Sequence, residues 1–73
     1  MPITPDQLEH WFKHHPPKDA SQAEAYARIR AAGRAFADVI VLLTPPGADQ
    51  SAAVRKVREA MMTANAAIAC EGK

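Results

Sequence analysis

Apolar residues recur along this chain at helical intervals in two long blocks, and a cluster of prolines and a glycine separates the blocks. In the first block, Tyr26, Ile29, Gly33, Phe36, Ile40 and Leu43 stand at spacings of three, four, three, four and three. In the second, Val54, Val57, Met61, Ala64 and Ile68 repeat three, four, three, four. Such a 3-4 alternation is the a/d seam of packed helices, and no two-residue alternation of strands competes with it. The pattern predicts a helix over 21–43, about 33 Å long at 1.5 Å per residue, and a second over 50–69. Thr44-Pro45-Pro46-Gly47-Ala48 breaks the helix and turns the chain back over 44–49. The expected fold is therefore all-α, built on an antiparallel two-helix hairpin. Ser21-Gln22-Ala23-Glu24 reads as a capping box for the first long helix, and Asp49 or Ser51 as the cap of the second. Gly33 costs about 1 kcal/mol relative to alanine inside a helix, which predicts close approach of a neighbouring backbone there.

Ahead of the hairpin, Thr4-Pro5-Asp6-Gln7 starts a short helix over 4–13. Thr4 caps it, Pro5 suits the first helical position, Asp6 complements the dipole, and Gln7 closes a capping box. Leu8, Trp11 and Phe12 give it one apolar face, with Trp11 and Phe12 as its anchor onto the main body. His14-His15-Pro16-Pro17-Lys18 then opens a connector over 14–20. Two prolines remove backbone donors and keep their predecessors out of the helical region. On its own residues the stretch reads first as a plain linker, with a pocket wall carrying imidazoles and an ammonium as the alternative.

The hairpin seam does not use all the apolar surface. Val39, Val41 and Leu42 point off the first seam, and Ala60, Met62, Ala66 and Ala67 off the second. A chain of 73 residues has room for one domain, and a core of that size supplies only about 3–5 kcal/mol. One cysteine, Cys70, excludes an internal disulfide. His10, His14 and His15 lack a companion Cys pair, so no metal site is expected. Burial of the surplus apolar faces in a homo-oligomer is the expected source of further stability. A net charge of +1 lacks the basic excess of a duplex-DNA binder. The apolar run Val39–Leu43 is far short of the ~20 residues that cross a membrane. Without a targeting segment, and with its one cysteine, the chain is expected in a reducing cytoplasm.

No catalytic motif is present: there is no Gly-rich phosphate loop, paired-carboxylate motif or activated nucleophile, and no cofactor is expected. The cations are more informative. Arg30 and Arg34 share one helix face and repel each other unless something offsets them. Asp38 can pair with Arg34, which leaves Arg30 under-compensated, either on a solvated face or as a phosphate-binding fork. Lys18, His14 and His15 lie just before this helix, and Tyr26 is one turn ahead of Arg30. Arg55, Lys56, Arg58 and Glu59 read as solvated surface. Asn65, amid Ala64, Ala66, Ala67 and Ile68, is costly to bury unpaired and is expected to hydrogen-bond across a helix or subunit contact. Gly72 and Lys73 read as a frayed end.

Taken together, Phe12-x-His14-His15-Pro16-Pro17-Lys18, Tyr26-x-x-Ile29-Arg30 and the Ala64-Asn65-Ala66-Ala67-Ile68-Ala69 tail resemble a family over residues 12–69. These are the small helical-hairpin cyclic-nucleotide sponges of bacteriophages, anti-CBASS proteins that sequester the cyclic oligonucleotide signals of bacterial immunity. The resemblance implies a homo-hexamer with cyclic dinucleotide pockets between protomers, and no chemistry on the ligand. It places His14 where the family has a base-stacking aromatic, Arg30 where a basic residue meets phosphate, and His15, Pro16 and Lys18 in the matching hinge; Tyr26 and Arg34 complete the expected ligand-binding set. Some members hold cyclic trinucleotides with a basic residue where this chain has Cys70, so that second site is not expected here. The rival reading is an oligomeric helical adaptor that docks a host protein through Trp11 and Phe12.

Overall fold

In a computed structural model, described over residues 2–73, the chain forms α1 (Pro5–Phe12), α2 (Ala20–Leu43) and α3 (Ala48–Ala69). No strand occurs among the described residues. α2 and α3 are 24 and 22 residues long and lie against one another as the expected hairpin. The predicted boundaries shift slightly. α1 ends at Phe12 with Lys13 as its C-cap. The connector therefore covers 13–19 and the hairpin loop 44–47.

Two of the expected caps fall elsewhere. Thr4 and Gln7 form the capping box on α1 as read from the sequence, with bonds of 3.1 Å and 2.9 Å. α2, however, is capped by Asp19, whose carboxylate accepts from the Gln22 amide at 2.9 Å, and Ser21 lies inside the helix. An aspartate two residues upstream extends the helix because it satisfies the orphan N–H groups of the first turn and complements the helix dipole. α3 starts behind Gly47 with no side-chain cap, so Asp49 and Ser51 are both helical. The loop is closed instead by Gln50. Its amide donates to the Thr44 carbonyl and Thr44 Oγ1, each at 3.1 Å, and to the Val41 carbonyl at 3.4 Å.

All five expected α3 seam residues are half-buried, as are Tyr26, Ile29, Gly33 and Ile40 of α2. Phe36 and Leu43 are not, at 59% and 75% exposed. Next to Phe36, it is Ala37 that is half-buried. No described residue is fully buried. Val39, Val41, Leu42 and Met62 are exposed as the pattern implied. Ile29, Gly33, Phe36, Ile40, Val57 and Met61 instead border an open apolar groove of about 520 Å³ along the hairpin. The atoms nearest to a Cβ built at Gly33 all belong to the Met61 side chain. A Cβ there would sit 3.6 Å from Met61 Cβ, an ordinary contact.

α1 does not pack on the hairpin; polar contacts tether it to the end of α3. His10 Nε2 donates to the Cys70 carbonyl at 3.0 Å and Trp11 Nε1 to the Lys73 carbonyl at 3.3 Å. Phe12, expected as a second anchor, is 85% exposed. The chain end is ordered by a Schellman motif, not frayed. Gly72 N–H bonds the Ala67 carbonyl at 2.9 Å and Glu71 N–H the Ile68 carbonyl at 3.1 Å. The left-handed residue that this motif needs is Glu71 (φ 55), with Gly72 (φ 74) after it. The Glu71 carboxylate forms an ion pair with Lys18 of the connector.

Two stability measurements check this account. Gly33→Ala is expected to stabilise the chain by about 0.5–1 kcal/mol in urea denaturation, because the new methyl meets only ordinary contacts while the helix gains propensity. Glu71→Gly relieves roughly 1 kcal/mol of left-handed strain and loses an exposed ion pair worth less than about 1 kcal/mol. It is expected to leave stability unchanged or raised. Glu71→Ala, which keeps the strain and loses the pair, is expected to lower it.

Candidate functional site

The connector, α2 and α3 meet at one end of the hairpin because three short-range features fix the chain there. Pro16 and Pro17 hold the connector extended. The Asp19 cap starts α2 abruptly. Gln22 ties the corner together: its side-chain oxygen accepts from Lys18 N–H at 2.8 Å and its amide donates to the Ile68 carbonyl at 3.4 Å. His15 Nε2 reaches back to the His10 carbonyl at 2.6 Å, and the two imidazoles meet edge to face with centroids 5.0 Å apart.

An open cleft of about 460 Å³ lies in this corner. His15 and Pro17 border it from the connector, Tyr26 and Arg30 from α2, and Met62, Asn65, Ala66 and Ala69 from α3. Three of the residues singled out in the sequence, His15, Tyr26 and Arg30, therefore come together. His14 and Pro16 are exposed and lie off the cleft within this protomer. Lys18 is turned to Glu71. Arg34 pairs with Asp38 at 3.0 Å, as the spacing suggested, and borders an adjoining concavity together with Arg30 and Arg58. Arg30 has no ion-pair partner among the described residues.

Asn65 adds a feature that the sequence did not reveal. Its Oδ1 is buried and accepts no hydrogen bond, so it bonds to no residue of the opposite helix in its own chain. Few buried polar atoms go unpartnered in folded proteins, and this one belongs to a residue that borders the cleft. Pro17 borders the cleft and Arg58 the adjoining concavity, though the sequence had pointed to neither as a site residue.

The cleft offers an imidazole, a phenol and a free guanidinium beside a buried amide, a set suited to gripping an anionic, ring-bearing ligand. The fold and this corner define a helical-hairpin binding protein. Comparison with known families gives the same class: the profile of the Acb2/Tad1 hairpin domain matches residues 4–69. The chain belongs to that family, the anti-CBASS sponges, which are binding proteins and not enzymes. No curated protein and no solved structure matches significantly. Among the described residues, no helix is long and apolar enough to cross a membrane.

Asn65→Leu replaces an unpartnered buried oxygen with apolar atoms of similar size. It is expected to raise stability by about 1–3 kcal/mol, read as a higher urea midpoint. A fall in stability would show that the amide is satisfied in the assembled protein.

Proposed function

We propose that this protein is a phage sponge that binds cyclic dinucleotide immune signals and holds them intact, lowering their free concentration and so blunting CBASS-type defence in the host cytoplasm. The observation that carries the reading is the corner cleft in a chain of the sponge family. There a free Arg30 and an unpartnered Asn65 oxygen flank His15 and Tyr26. A cyclic dinucleotide presents two phosphates and two flat bases. Arg30 forks onto a phosphate, Tyr26 and His15 meet the base faces, and the Asn65 oxygen accepts an N–H from a base edge.

The assembly is part of the proposal. An open apolar groove and the exposed Val39, Val41 and Leu42 favour association of copies into a homo-hexamer. The ligand sits between protomers, where His14, Pro16 and Lys18 of one copy extend the site of another, and Arg34 adds positive charge beside it. A second reading keeps the oligomer and makes α1 a docking helix for a host protein. The exposure of Leu8 and Phe12, one turn apart on α1, favours it.

Calorimetry with a panel of cyclic dinucleotides separates the two. The sponge reading expects binding at or below micromolar ligand and recovery of unaltered ligand after denaturation. Absence of binding across the panel rejects it in favour of the docking helix. Arg30→Ala is expected to weaken binding at least tenfold, the size of a charged hydrogen bond of about 1.5–3 kcal/mol, with the mass of the assembly unchanged by light scattering.

A further inference from the structure

The clasp between α1, the connector and the end of α3 gathers a second cluster, of which the cyclic-nucleotide reading uses only His15. His10, His15 and Cys70 each offer one ligand atom, and the three atoms lie within 4.8 Å of one another. The spacing of His10, His14 and His15 argued against a metal site because it left Cys70 out. Cys70 is 55 residues or more from either histidine along the chain, and it reaches them only because His10 bonds its carbonyl. All three residues are half-buried, and the thiol is free.

From this arrangement we infer a binding site for a thiophilic transition-metal ion of the zinc type, held by His10, His15 and Cys70, with a fourth position left to water or an added ligand.

The hydrogen bonds around the rings set how each imidazole can ligate. A carbonyl oxygen can only accept, so the Nε2 atoms of His10 and His15 both carry protons, donated to the carbonyls of Cys70 and His10. In each neutral ring the lone pair is thereby left on Nδ1. A ring that turns Nδ1 to the ion keeps its bond to the carbonyl, as metal-ligating histidines commonly do, and one that turns Nε2 gives that bond up and moves its proton to Nδ1. Two imidazoles and one thiolate make a donor set that selects zinc-like or copper-like ions over magnesium or calcium.

The distances need only a small closure. Zinc bonds of about 2.3 Å to sulfur and 2.0–2.1 Å to nitrogen space tetrahedral ligands roughly 3.5 Å apart. The ligand atoms therefore move inward by about one ångström, on α1, the connector and a helix end, none of which lies in a packed core. On binding, Cys70 gives its thiol proton to solvent and forms a metal–sulfur bond, with no change of oxidation state. The ion fastens α1 and the connector to the C-terminal end of α3, where the apoprotein relies on hydrogen bonds. The inference shares His15 with the cyclic-nucleotide reading but does not rest on it, and its test uses no nucleotide.

Titration of the full chain, kept reduced with a phosphine, with Co²⁺ as a coloured stand-in for Zn²⁺ is expected to saturate at one ion per chain. A thiolate-to-metal charge-transfer band in the near ultraviolet should accompany it. Excess Zn²⁺ is expected to bleach the band, raise the thermal midpoint and shield Cys70 from alkylation. Cys70→Ser is expected to abolish the band and weaken zinc binding at least tenfold, and His15→Gln to weaken it similarly, both with unchanged helicity. Binding without the charge-transfer band, zinc affinity undiminished in Cys70→Ser, or unshielded alkylation of the wild-type thiol at saturating zinc would each overturn the site. The alkylation readout needs no variant to fold.

Discussion

Two helices can share only one interface, and in this protein that interface is thin. Val57, Met61, Ile29 and Gly33 are among the residues that line it, and none is fully withdrawn from water. The rest of the architecture follows from that shortage. The apolar groove stays open because the chain has no third long helix to fill it. α1, only two turns long, is held at the far end by donors and acceptors rather than by a packed face. A protein built this way has apolar surface to spare for copies of itself and polar groups to spare for a ligand.

The polar corner also explains why the connector is shaped as it is. Its prolines forbid helix, so the carbonyls and imidazoles between α1 and α2 are not consumed by a helical ladder. They are used at a distance instead: His15 on His10, His10 on Cys70, Lys18 on Glu71, and Gln22 on both Lys18 and Ile68. The cleft lies on one side of this lattice and the His10–His15–Cys70 cluster within it. His15 belongs to both, so the geometry of either depends on the same ring.

Most of the fold was legible in the sequence, because it rests on local signals. The 3-4 spacing set the helices, the Pro-Pro-Gly loop set the reversal, and Thr4 with Gln7 set the start of α1. The misplaced caps show the limit of such signals: Asp19, Ser21, Asp49 and Ser51 are all competent caps, and only the path of the chain decides among them. The site was legible in part. His15, Tyr26 and Arg30 lie on or next to one helix face. Asn65 comes from the other helix, and finding it requires the register of the hairpin. Pairing Gly33 with Met61 and moving four residues along each antiparallel helix brings Ile29 opposite Asn65, a step that periodicity alone does not supply. The clasp was beyond sequence reasoning altogether, since it pairs side chains with backbone carbonyls some sixty positions away.

The way α1 is fastened has a consequence for affinity. Hydrogen bonds at a wet surface are each worth little, since water offers the same partners to the open form. α1 and the connector therefore form a cooperative unit at the low-stability end of the molecule, opening at a smaller cost than the hairpin itself. His15 rides on that unit while Tyr26, Arg30 and Asn65 stay with the hairpin. A ligand that touches all four binds only the closed population, and its apparent dissociation constant is the intrinsic one divided by the fraction closed. Whatever steadies the clasp thus tightens the cleft without touching the ligand.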